Sequence, residues 1–177
     1  MKSFTYTDHP DPVTAIACVV GVVLGLNGPF YPLYVVALLG WTQGHLAFLT
    51  MMATPLFLVV PLLARRAPWV GPFILWLVGT TNTVWCTKLF GPSSGIEIFL
   101  LPCTALAALL PQGWLRLAGA GLPLLFLLIP ASWIGVPIIG LTSGQAAHLA
   151  LLNEFSAACL LGFLALRFGR LLPAPMG

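Results

Sequence analysis

Glu154 is the residue best placed to do chemistry here, because it is an acid inside an otherwise apolar run, "AHLALLNEFSAACLLGF". It lies about ten positions from the polar end of that run, roughly 14 Å deep at about 1.5 Å of helical rise per residue. A carboxyl so deep in hydrocarbon is costly, and it marks a ligand, proton or ion site, or else a polar clamp between helices. Its neighbours at helical spacing are Ala150, Leu151, Ala157 and Ala158. Three small residues suit close helix packing, so Glu154 is expected to face inward. Asn82, in "GTTNTVWCTK", sits at a similar depth in another apolar run, and Asn27 marks a break in the first run. The expectation is a polar layer in which Glu154 bonds Asn82 and Asn27.

A second group lies around the turn "KLFGPSSGIE", where Lys88 and Glu97 flank a Gly-Pro-Ser-Ser-Gly sequence. Ser94 and Glu97 have the spacing of a capping box, each side chain bonding the other's backbone amide. His45 and His148 fall near the same ends of their own segments. With Lys88 and Glu97 they form a candidate rim on the outer face. Two histidines in one leaflet raise haem ligation, but axial histidines normally lie deeper. A histidine bonded to a loop carbonyl is the plainer reading.

The elements that hold these residues follow from composition. Of 177 residues, 59% are hydrophobic and 6% are Asp, Glu, Lys or Arg, with a mean hydropathy of +1.03. Soluble domains carry about a quarter charged residues. This chain is therefore expected to be an all-α integral membrane protein. Cys18, Cys86, Cys103 and Cys159 are widely spaced in apolar segments, which suits core packing better than disulfides or metal. No metal site and no cofactor are expected. The sequence holds no GxSxG, HExxH or P-loop pattern, and nothing in it marks an enzyme. The small net charge of +3 gives no reason to expect nucleic acid.

At about 20 residues per span, six spans fit: Pro12 to Leu39 with a break at "NGPFYP", Gly44 to Ala64, Trp69 to Phe90, Gly95 to Leu110, Trp114 to Ile129 and Gln145 to Phe168. The expected layout is a cytoplasmic tail over 1–12, a six-helix domain over 13–168 in three hairpins, and a cytoplasmic tail over 169–177. Lys2, Arg65, Arg66, Arg116, Arg167 and Arg170 then share one side, against Lys88 alone on the other. That bias places both termini in the cytoplasm of a bacterial inner membrane. The starts "TQGHLAFL", "SSGIEIFL" and "TSGQAAHL" also look alike. Their glycines, Gly44, Gly95 and Gly144, are 51 and 49 residues apart, about one hairpin.

"YPLYVVALLG", "PLLARR", "LFGPSSGIEIFLLP" and "LLNEFSAACLLGFLALRF" together resemble the six-span membrane-associated sensor regions of bacterial adenylate and diguanylate cyclases. The resemblance implies an input module that signals from its last helix to a cytoplasmic catalytic domain. After Phe168 the sequence reads "GRLLPAPMG", without linker coiled coil or cyclase, so the resemblance implies no cyclase activity in this chain. The leading expectation is a non-catalytic sensor-like or anchoring module, embedded in the lipid bilayer and acting through a protein partner or as a homo-oligomer. The alternative is a small-molecule transporter or substrate-binding membrane subunit with a site lined by Asn27, Asn82 and Glu154.

Overall fold

The computed structural model describes residues 5–129, 131–169 and 171. The expected tail over 169–177 lies outside them apart from Gly169 and Leu171, as do Lys2 and Arg170. The described residues are helical, with no strand. The longer helices are α1 (Pro12–Asn27) and α2 (Phe30–Leu39), α3 (Trp41–Ala64), α4 (Val70–Phe90), α5 (Ile96–Leu109) and α6 (Trp114–Leu127), and α7 (Ser143–Gly169); a single turn, Ala131–Ile134, follows α6. Among the described residues, three stretches are long and apolar enough to cross a membrane: Pro12–Leu39, Trp41–Ala64 and Ser143–Gly169.

Local chemistry sets the boundaries. Asp11 caps α1 by accepting from the Thr14 amide at 2.8 Å, and Pro12 takes a first-turn place where its missing N–H costs nothing. The expected break in the first segment is narrow. Only Gly28 and Pro29 separate α1 from α2, and both keep helical dihedrals. The two residues interrupt the run without ending it. In α3 the stretch His45–Ala53 winds as a 3-10 helix, a tighter and longer form usually confined to short pieces. Pro123 lies inside α6; its ring nitrogen cannot donate to Gly119, four residues back. The Trp76 indole N–H fills that place, donating to the Gly119 carbonyl at 2.8 Å.

Two apolar clusters occupy opposite halves of the bundle. One joins Ile16, Val20, Phe57, Val60, Leu75, Trp76, Leu106, Leu110 and Leu164. The other joins Val35, Ala47, Cys86, Leu89, Phe90, Ile96, Ile139 and Leu149. The chain runs from the first to the second through α1 and α2, back through α3, forward through α4, back through α5, forward through α6 to Ile139, and back through α7. The first half is the arginine end, with Arg65, Arg116 and Arg167 beside it in sequence. The second is the turn end, with the turn 91–95 between α4 and α5.

Candidate functional site

The turn end is built on two glycines. Gly91 (φ +80°) ends α4, and Gly95 (φ +67°) adopts the left-handed conformation between Ser94 and Glu97. A side chain at Gly95 would sit 3.1 Å from the Ala150 Cα of α7, so this glycine serves both the backbone bend and the helix contact. Ser94 is fully buried. Its hydroxyl donates to the Gly91 carbonyl at 2.7 Å and its amide to the same oxygen at 3.1 Å.

The capping box expected of Ser94 and Glu97 does not form. No side chain caps the start of α5, because the left-handed Gly95 takes Ser94 out of helical register with Glu97. The reciprocal cap occurs at the start of α7. The Thr142 amide donates to Gln145 Oε1 at 2.9 Å, and the Gln145 amide to Thr142 Oγ1 at 3.3 Å.

The expected layer of Glu154, Asn82 and Asn27 is also corrected. Glu154 and Asn27 are exposed, and Asn82 is half-buried. The inward stripe of α7 is Ala146, Leu149, Asn153, Ala157 and Leu164. Glu154 lies about 100° around the helix from Asn153, so only one of the two can point inward, and the amide does. Asn153 is fully buried. Its Nδ2 donates to the Ser94 carbonyl at 2.9 Å and to the Tyr31 hydroxyl at 3.4 Å. Tyr31 in turn meets the Phe90 ring edge-on, centroids 5.7 Å apart. One side chain thus joins α7 to the turn and to α2. Only its Nδ2 is used; Oδ1 is buried with no hydrogen-bond partner. The neutral Asn153 was the signal that could have found this knot, but it stands beside a more conspicuous acid.

Lys88 and Glu97 do come to one place. Both line a cavity of about 410 Å³, walled by apolar side chains of α4, α5 and the end of α6. The Lys88 ammonium donates to the carbonyls of Ile134 and Val136, each at 2.9 Å. It holds the segment after α6 across the end of α4, where the Ile139 amide also donates to the Leu89 carbonyl at 2.8 Å. These bonds satisfy acceptors that a helix terminus and an irregular loop leave open. Glu97 Oε2 is buried and has no hydrogen-bond partner. The other two residues of the expected rim, His45 and His148, are exposed. His45 Nδ1 lies 3.0 Å from the Trp41 carbonyl. Among the described residues no three His, Cys, Asp or Glu side chains gather as a metal site would require.

One family model, MASE7, matches residues 11–168. MASE domains are membrane-associated sensor domains found in cyclase-regulating proteins, in agreement with the resemblance read from the sequence. No curated protein and no solved structure matches the chain.

Proposed function

Because the chain belongs to the MASE7 family, we propose that it is a non-catalytic sensory module of the membrane, with its input at the turn end and its output at the arginine end of α7. The observation that carries this reading is the bond from Asn153 to the Ser94 carbonyl. It ties the turn, whose Pro92 lines the turn-end cavity, to the helix that runs the length of the bundle. A change in the turn must strain or release α7, and α7 carries that change toward Arg167. A protein partner there receives it.

The reading includes six membrane crossings in three hairpins, with both termini cytoplasmic. The alternation of the chain between the two apolar clusters supports the count, and the placement of the arginines supports the orientation. The cavity at the turn end is lined by neither Asn82 nor Glu154, so it does not favour a transporter with its site at their level. Topology is tested with a membrane-impermeant thiol reagent on whole cells. A cysteine at Gly140 should react from outside and one at Arg66 should not; the reverse pattern overturns the orientation.

The sensory reading is tested by electron spin resonance distances. Spin labels at Arg65 and Gly169 report the arginine end, in a background where the exposed Cys159 is replaced by Ser. Asn153→Leu should shift or broaden their distance distribution. An unchanged distribution means that the bond at the turn does not control the far end of α7, and the reading fails.

A further inference from the structure

The cavity at the turn end has walls and a polar patch of a kind that defines a ligand class. Its lining is apolar, with Val84, Leu100, Phe126 and Trp133 among the contributors, and it holds one cationic and one acidic side chain, Lys88 and Glu97. Lys88 spends two N–H groups on loop carbonyls; an ammonium has three, so one donor remains. Glu97 also lines the cavity; its Oε2 is buried with no partner, which costs free energy, and a small rotation of the carboxyl brings that oxygen to a ligand. With both side chains ionised the two formal charges cancel, and a head that both accepts and donates is the match for the pair.

We propose that this cavity binds a neutral amphiphile: an apolar chain capped by a head that both donates and accepts hydrogen bonds, such as a hydroxyl or an amide. The head accepts from the Lys88 ammonium and donates to Glu97, while the chain lies along Val84, Leu100 and Phe126. A volume of about 410 Å³ is within the range of small-molecule sites and takes a chain of medium length. The proposal rests on the sensory reading only for its purpose. Occupancy of the cavity is a separate fact.

The test uses the purified chain in nanodiscs of zwitterionic lipid and a photoreactive monodecanoylglycerol, with crosslinked residues mapped by mass spectrometry. Label should concentrate on Val84, Leu100 and Phe126, and unlabelled monodecanoylglycerol should displace it while decanoate and decylamine do so weakly. Glu97→Gln gives the cavity a formal positive charge and should shift competition toward decanoate by roughly tenfold. Phe126→Trp narrows the space and should weaken labelling with the fold retained, as read by thermal unfolding. Label spread equally over the exposed Leu117 and Leu166 overturns the proposal, as does equal competition by all three head groups. If the cavity labels as expected but the spin-label distances do not respond to monodecanoylglycerol, the site stands and the sensory reading fails.

Discussion

The Trp76 indole N–H and the Gly119 carbonyl are 2.8 Å apart, and the pairing exists because Pro123 has no N–H to offer that carbonyl. The two substitutions should therefore be coupled. Trp76→Phe leaves a buried carbonyl unpaired and should cost about 1–3 kcal/mol beyond its lost packing. In a Pro123→Ala background the helix can supply its own donor, and the same change should cost at least about 0.5 kcal/mol less. A double-mutant cycle on unfolding in detergent measures the difference; strict additivity would show that the indole bond does not compensate for the proline.

Asn153 and Glu154 are adjacent, but their substitutions should differ sharply. Asn153→Leu strands the Ser94 carbonyl and should lower stability by about 1–3 kcal/mol. Glu154→Gln changes an exposed side chain and should stay within about 0.5 kcal/mol in the purified chain. Thermal unfolding of both variants beside the parent decides. A larger loss from Glu154→Gln would mean that its carboxyl is held by a contact within the bundle.

Gly40 and Gly91 separate backbone strain from crowding. Gly40 (φ 75°, ψ 166°) and Gly91 (φ 80°, ψ 162°) share a region essentially reserved for glycine, where an alanine costs about 1–3 kcal/mol. A side chain at Gly40 meets open space, whereas one at Gly91 would sit 2.6 Å from Pro137 Cγ. Gly91→Ala should therefore lower Tm more than Gly40→Ala. Equal shifts would show that Pro137 yields at that contact without cost.

Cysteine chemistry offers a simple readout of packing. Cys18, Cys86 and Cys103 are buried, and Cys159 is exposed on α7. A maleimide small enough to enter the micelle should add once to the folded chain, with the Cys159→Ser variant unreactive until it unfolds. Intact-mass spectrometry counts the additions, and two or more on the folded chain would contradict the packing of α1, α4 and α5.

The apolar runs and their turn residues made the helices legible in the sequence. The third expected span, Trp69 to Phe90, differs from α4 by one residue at its start. The site was harder, for two local reasons. The pattern Ser-x-x-Glu matches a capping box by spacing, but the glycine inside it turned out to be left-handed. That glycine breaks the register on which the box depends, while Thr142 and Gln145 keep theirs. On α7, alanines lie on both the inward and outward faces, so small residues did not distinguish Asn153 from Glu154. What decided was which polar side chain could satisfy the Ser94 carbonyl. A carboxylate cannot donate to it, and an amide can.

The placement of Asn153 also has a mechanical meaning. From its anchor the helix extends about 15 Å to Ser143 and about 24 Å to Gly169, at about 1.5 Å per residue. A stiff rod held at such a point is a lever with unequal arms. A tilt that moves the short arm by 1 Å moves the long arm by about 1.6 Å, in the opposite direction. A push on the Ser143 end thus arrives at the Gly169 end enlarged and reversed.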